Sequence, residues 1–329
     1  MPPRNDPLGD RIKAFERSET DRRAQPGQVA VIRIDGMGFS RFTRSMMKPY
    51  DPALGGLMIE TSRYLVGRLG AHLAFTQSDE ISLIFLDRGP RPFDGRLHKL
   101  ATAAAAIATS FFVQKGLHHW PDLCRRSPPA FDGRAFCVPS RDDAVAVLVW
   151  RELDASRNSM SMAGRSHFPQ RALQGVSRSE VRLMLSQASV AYDELSVHFR
   201  RGCYVARRPL ASTLTEAELS RIPPARRPQG AIVRQPVVVL DTPPIGQLLN
   251  PAAFLFDGED ALLRPSNGVK TICDDADLVS AQAEAEALAG AIEATPPDSR
   301  RQELLRLIAA YVATRDGGDA KGDPDASAA

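Results

Sequence analysis

Cysteine, lysine and long apolar runs are scarce in this chain. Its four cysteines (Cys124, Cys137, Cys203, Cys273) are scattered over 329 residues. None stands at zinc-ligand spacing from another, which excludes a disulfide framework and a structural zinc site and makes the reducing cytoplasm the expected compartment. The charge-free stretch Leu100–Gln114 is 15 residues long. A bilayer-spanning helix needs ~20, so this stretch reads as a buried helix, and no membrane partner is expected. Met1 to Asp10 is polar and proline-rich without an apolar h-region, so no secretory signal is expected. No internal repeat is visible.

Lysine supplies only 6 of the 42 basic side chains. The rest are arginines, which bind phosphate bidentately and stack on bases, so the composition fits a nucleic-acid partner. Composition alone is more simply explained by a genome biased towards arginine and alanine codons. The net charge of +3 is unevenly spread: residues 274–329 hold 12 acids and 5 bases, a net of −7, which leaves +10 on residues 1–273. Near-neutrality therefore does not argue against a polyanion.

The apolar pattern predicts an order of elements. Residues 1–27 are polar, with Leu8, Ile12 and Phe15 able to form one short amphipathic turn. Gln28–Asp35 reads as a buried strand. Asp51-Pro52 is an N-cap followed by proline at the first helical position, opening a helix that runs to Gly70. His72–Thr76 and Ile81–Leu86 are strands joined by a tight turn at Gln77-Ser78-Asp79. Arg96–His119 is an alanine-rich helix, and Arg134–Val138 a strand after a turn at Asp132-Gly133. The order β-α-β-β-α-β is that of a split-βαβ, ferredoxin-like unit, so the expected fold is α+β. Helices follow over Asp142–Ala163 and after the capping box Ser177-x-x-Glu180. Arg200–Arg208 and Ala231–Leu240 read as strands, and 276–293 and 298–314 as a helical hairpin around Pro296-Pro297. The expected organisation is an N-terminal segment 1–27, a catalytic core 28–140, a region 141–210 completing it, a C-terminal extension 211–315 and a disordered tail 316–329.

This topology has a chemical consequence. The third strand inserts between the first two and runs antiparallel to both, so the end of strand one sits beside the start of strand three. Asp35 and Asp79, 44 residues apart in sequence, should meet there. Two close carboxylates repel unless a cation neutralises them, and a hard divalent ion is the economical explanation. Taken singly, Asp35-Gly36 and Ser78-Asp79-Glu80 are ordinary turns; it is their meeting that points to two-metal phosphoryl or nucleotidyl transfer. Gly36 would let the backbone approach an ion, and the loop Gly36-Met37-Gly38-Phe39-Ser40 offers N–H groups to phosphate. Arg33, Lys48 and Ser78 are further phosphate contacts. Glu80 starts strand three, and alternation turns it away from Asp79, so it is grouped with the catalytic acids in a supporting role.

The blocks Arg33-Ile-Asp-Gly-Met-Gly-Phe-Ser-Arg-Phe42, Thr76-Gln-Ser-Asp-Glu-Ile-Ser82, Phe131-Asp-Gly-Arg134 and Trp150-Arg-x-x-Asp-Ala-x-x-Asn158 resemble the signature of the tRNA-His guanylyltransferase superfamily. Leu8–Lys13 and Phe199–Val205 extend the likeness. The resemblance implies a palm-like catalytic domain that adds nucleotides in the 3′-to-5′ direction to the 5′ end of tRNA. It implies two Mg²⁺ ions on Asp35, Asp79 and the Gly36 carbonyl, with GTP or another nucleoside triphosphate as substrate and ATP as activator of the 5′ end. Arg33, Gly36–Ser40, Lys48, Asp51 and Ser78 match nucleotide contacts. Arg134 matches a position associated with RNA handling, and Arg151, Arg157 and Asn158 are taken as RNA contacts. A homodimer or tetramer is also implied. Where eukaryotic members carry His-Ile-Asn-Asn-Leu-Tyr-Asn, this chain has Ser156-Arg-Asn-Ser-Met-Ser-Met162, and Ser40 stands in place of a histidine. That pattern resembles the Thg1-like proteins, which repair 5′-truncated tRNAs against a template.

Two other classes remain open on the residues alone: a palm-domain nucleotide cyclase and a non-catalytic RNA-binding protein. A cyclase would usually carry a Gly-Gly-(Asp/Glu)-Glu-Phe hairpin in place of Gln77–Ile81. Arg200–Arg234, with eight arginines against Glu216 and Glu218, is either a tRNA-phosphate contact or a solvated loop. His118-His119-Trp120 reads as helix-end packing, and Phe111, Phe112 and Trp150 as core. Because the −7 segment lies outside the matched blocks, deleting residues 274–329 is expected to tighten RNA binding at low salt. A filter-binding titration checks this, and unchanged affinity would make the segment a solvated end only.

Overall fold

The computed structural model describes residues 6–263, 272, 274–288 and 296–316. In chain order the elements are helix α1 (Pro7–Thr20), strand β1 (Val29–Met37), the short helix α2 (Phe39–Phe42), α3 (Pro52–Leu69), β2 (Leu73–Gln77), β3 (Glu80–Phe85), α4 (Leu97–His119), α5 (Pro121–Arg126), β4 (Ala130–Val138) and α6 (Arg141–His167). There follow α7 (Gln170–Leu173), α8 (Arg178–Gln187), α9 (Val197–Arg201), β5 (Cys203–Arg207), β6 (Leu210–Ser212), α10 (Glu216–Leu219), β7 (Ile232–Arg234), β8 (Val237–Leu240) and α11 (Pro251–Asp257). Residues 1–262 form one compact unit, and a second unit, 263–329, contains α12 (Asp275–Ala287) and α13 (Pro296–Asp316).

The first unit is α+β. Six strands form an antiparallel sheet in the order β4-β1-β3-β2-β5-β8. Alternation sorts each strand between two cores. Ala30, Ile32 and Ile34 of β1 pack with Leu57, Met58 and Leu65 of α3 and with Leu100, Ala104 and Phe112 of α4. Val29 and Val31 point the other way, onto Ala144, Val145 and Leu148 of α6 and Leu255 of α11. Helix α4 is long and apolar enough to cross a membrane by length and composition; here Leu97, Leu100, Ala101, Ala104, Ala108 and Phe112 are buried within the fold.

The local signals act as their chemistry dictates. Asp51 caps α3, its carboxylate accepting from the Ala53 and Leu54 N–H groups at 2.9 and 3.3 Å, and Gly70 ends that helix in the left-handed conformation. Ser177 and Glu180 form both bonds of the capping box. Trp120 ends α4 and packs edge-on against Phe42, as helix-end packing requires.

Several expectations need correction. Residues 1–27 contain a 14-residue helix, capped by Asp6, that buries none of its side chains. Asp132-Gly133 is no turn: β4 begins at Ala130 and runs through both residues. Glycine is needed there because a β-carbon on residue 133 would lie 2.8 Å from the Ala101 carbonyl oxygen, so α4 can lie this close to β4 only over a bare backbone. The strand expected over Ala231–Leu240 is two, β7 and β8, interrupted before Val237 by Pro236, which has no N–H for a ladder. The extension expected to begin at 211 is not separate until 262: β8 pairs with β5, and the Ile245 N–H donates to buried Glu152 of α6 at 3.2 Å.

In the second unit, Ala281 and Ala285 of α12 and Leu304 of α13 share one small core with Ile272. Pro296-Pro297 opens α13 instead of forming the turn. The tail expected from 316 lies, beyond that residue, outside the described residues. Gly133→Ala should destabilise the first unit by about 1–3 kcal/mol through overpacking against Ala101. Urea unfolding measures this, and an unchanged midpoint would mean α4 moves aside freely.

Candidate active site

Strand β3 lies between β1 and β2, antiparallel to both. Asp35, near the end of β1, is therefore the register partner of Glu80, the first residue of β3. Asp79 sits one residue earlier, in the two-residue loop between Gln77 and Glu80. That loop holds Ser78 at φ 49°, a left-handed conformation that costs a serine about 1 kcal/mol or more. Such strain collects where a side chain must be aimed. Burial pushes the Asp79 carboxyl above the ordinary carboxylate range, and the nearby Asp35 charge pushes it further; its own N–H and the Ser78 hydroxyl pull it partly back. The two aspartates expected to be neighbours thus lie close enough for the charge of one to act on the other.

Gly36 follows Asp35, and a β-carbon there would lie 2.2 Å from the Phe39 ring. That ring is buried against Phe42, Phe112 and Phe131. Phe39 therefore offers a ligand only its backbone, while Met37, Gly38 and Ser40 are exposed. Gly38 caps α2 with φ 67°. Phe39 and Ser40 fall in the first helical turn, whose N–H groups lack intrahelical partners. Lys48 is exposed, and its ammonium donates to the Thr43 carbonyl at 2.9 Å. The Asp51 carboxylate is engaged as the α3 cap, so it acts on the loop before α3 rather than as a free ligand.

Glu80, grouped on sequence with the catalytic acids, is not free either. Arg151 of α6 grips both its oxygens, Nε at 2.7 Å and Nη2 at 2.9 Å, and the Arg33 Nε stands 4.0 Å away. The expectation that Arg151 contacts RNA is corrected by the same observation. Its side chain is 7% exposed and is also paired with Asp154 at 3.0 Å. Arg157 and Asn158 lean on Asp154 as well, at 3.4 and 3.3 Å, but remain at the surface. Arg134 is exposed on β4, 3.9 Å from Asp132. The i, i+3 and i+4 spacing of 151, 154, 157 and 158 carried the Asp154 cluster in plain sight. Asp132 was missed because Asp132-Gly133 looked like a turn; it is the register partner of Asp35 on the other side. Trp150, read as core, is 50% exposed.

Among the described residues no group of three or more His, Cys, Asp or Glu is placed to hold a metal ion. The site offers two carboxylates and the Gly36 carbonyl. Such a donor set suits Mg²⁺, which takes one or two carboxylates and fills its shell with water and substrate phosphates. A cation would also relieve the repulsion that raises Asp79.

Residues 9–139 match the sequence profile of the family described as Thg1, tRNAHis guanylyltransferase. The tRNA(His) guanylyltransferase of Neurospora crassa is 30% identical over 158 residues, covering 45% of this chain and 51% of that protein. The chain thus spans about half the length of this curated relative. A bacterial tRNA(His) guanylyltransferase (Thg1)-like protein solved in complex with ATP superposes with a TM-score of 0.62 at 26% identity, over 76% of this chain and 99% of that one. A structure of a bacterial Thg1-like protein in complex with GTP gives a TM-score of 0.57 at 26% identity, over 76% of this chain and 98% of that one.

The paired aspartates make a stability prediction. With its carboxyl pKa raised by folding, Asp79 lowers stability as pH climbs from the unfolded value through the folded one. In EDTA at neutral pH, Asp79→Asn should therefore melt higher than wild type, and Mg²⁺ should raise the melting temperature of wild type but not of the variant. Equal melting temperatures in EDTA would mean the two charges do not oppose each other. With the site's geometry and these likenesses together, the chain is similar to the tRNA(His) guanylyltransferases, most clearly over residues 9–139.

Proposed function

We propose that this chain is a Mg²⁺-dependent nucleotidyltransferase that adds nucleotides in the 3′-to-5′ direction to the 5′ end of tRNA, in templated repair of truncated ends. The observation that carries the reading is the meeting of Asp35 and Asp79 at one end of the sheet from separate blocks of sequence. The strand order β4-β1-β3-β2, with α3 and α4 sharing one face, supports reading this part as a palm-like split-βαβ domain. Names and bound nucleotides of the relatives point the same way. The cytoplasm and a dimeric or tetrameric state go with this reading.

Asp35, Asp79 and the Gly36 carbonyl would hold the metal. Two bound Mg²⁺ ions would lower the pKa of the nucleotide 3′-hydroxyl and stabilise the departing pyrophosphate. The chain's own groups do the rest. The Phe39 and Ser40 N–H groups would donate to triphosphate oxygens, with the Lys48 ammonium as a nearby point charge. Glu80 fixes Arg151 and flanks Arg33, which sets positive charge beside the acids without neutralising them. Of the arginines taken as RNA contacts, Arg134 and Arg157 are exposed, on β4 and α6, and would reach RNA phosphates. Their binding should weaken steeply with salt.

The test is extension of a 5′-triphosphorylated, 5′-truncated tRNA with labelled nucleotides and Mg²⁺. Wild type should incorporate nucleotides templated by the opposite strand. Asp79→Ala should fall by about 100-fold or more. Equal incorporation by the variant would sink the mechanism, and a cyclic product from nucleotides alone would redirect the assignment.

A further inference from the structure

Helix α6 is turned inside out beside the active site. Arg151 and Glu152 are buried at 6% and 5% exposure, while the adjacent Trp150 keeps 50% of its surface open. An aromatic side chain is ordinarily the one that seeks the interior, and arginine and glutamate go inside only when paired. Here both are paired: Arg151 with Glu80 and Asp154, Glu152 with Arg201 at 2.6 Å and the Tyr204 hydroxyl at 3.0 Å. These pairs fix the register of the helix, and that register presents the indole outward.

The indole is also held. The Arg151 guanidinium carbon lies 4.6 Å from its ring centroid, and that of Arg33 lies 5.7 Å away. Both guanidinium groups stand by the Glu80 carboxylate, Arg151 bonded to it and Arg33 within 4.0 Å. The ring is thus backed by cations on the protein side, and half its surface remains available. Its place is beside the acids. Arg33 precedes Asp35 by two residues on the same face of β1, about 7 Å along the strand, and Glu80 is the register partner of Asp35. A rigid, half-open aromatic surface within one nucleotide of a phosphate-handling centre is what a base stacks on.

We propose that Trp150 is a stacking platform for a nucleobase of the substrate, locked in place by Arg33 and Arg151. The inference rests on the nucleotidyltransferase reading for its substrate class. The base belongs either to the incoming nucleoside triphosphate or to the terminal nucleotides of the RNA, and the two sources are separated by experiment. The chain has two tryptophans, so Trp120→Phe leaves Trp150 as the sole indole. Its fluorescence is titrated with GTP and Mg²⁺, and separately with a 5′-triphosphorylated truncated tRNA. Quenching by one and not the other assigns the base to that source, and quenching by neither overturns the proposal.

In extension kinetics, Trp150→Leu should raise KM for the assigned substrate about tenfold, with kcat within about twofold. Trp150→Phe should restore most of that loss, because the aromatic face is what matters. Loss of kcat with KM unchanged, or failure of phenylalanine to do better than leucine, would make Trp150 a packing residue and overturn the proposal. If wild type extends RNA while Trp150→Leu matches it in both KM values, the stacking role fails and the enzymatic reading stands. If wild type extends nothing, the enzymatic reading fails, and the fluorescence titration still decides whether a base meets Trp150.

Discussion

Two carboxylates share one end of the sheet, and the rest of the site is arranged around keeping them there. Asp79 is disfavoured as an anion by burial and by the charge of Asp35. In a free chain such a pair would simply move apart. The sheet prevents this, because the register of β1 against β3 fixes Asp35 beside Glu80, and the tight loop at Ser78 fixes Asp79 next to it. Glu80 would add a third negative charge, but Arg151 takes up both its oxygens. Only Asp35 and Asp79 are left to call for a cation, with Asp132 at the open margin of the same strand face.

Helix α6 does two jobs with neighbouring residues. Through Arg151 it reaches across the sheet face to Glu80, and so orders the surroundings of the acids. Through Glu152 it gathers distant parts of the chain. That buried carboxylate accepts from Arg201, Tyr204 and the Ile245 N–H, and Arg201 in turn donates to the Thr242 carbonyl at 2.8 Å. A buried carboxylate is tolerable only when supplied with donors in this way. The consequence is that residues 211–262 belong to the same unit as the two aspartates. Trp150 faces out because the two residues after it must face in.

Much of this was legible in local chemistry. Apolar β-branched runs marked β1 and β3, Asp51-Pro52 marked the start of α3, and Ser177 with Glu180 marked the start of α8. The meeting of Asp35 and Asp79 followed from element order alone. Other features followed from contacts between distant segments and left no local trace. Asp132-Gly133 has the look of a turn in any sequence. What makes it strand is the backbone of α4 lying against the bare glycine. The burial of Arg151 could not be read from α6, since its partner Glu80 lies 71 residues earlier.

Sequence by itself determined which residues could do chemistry and in what order the elements carry them, because helix and strand periods and capping residues act over a few neighbours. It thereby made Asp35 and Asp79 expected neighbours, a consequence of chain order and antiparallel geometry. Tertiary structure decided which charged groups stay free. Arg151 and Glu80 neutralise each other, Phe39 turns its ring into the aromatic core, Asp51 is spent on a helix end, and Trp150 is left open. Those outcomes depend on which distant side chain supplies a partner, and the energy of burying a charge is set by that partner rather than by any residue beside it in the chain.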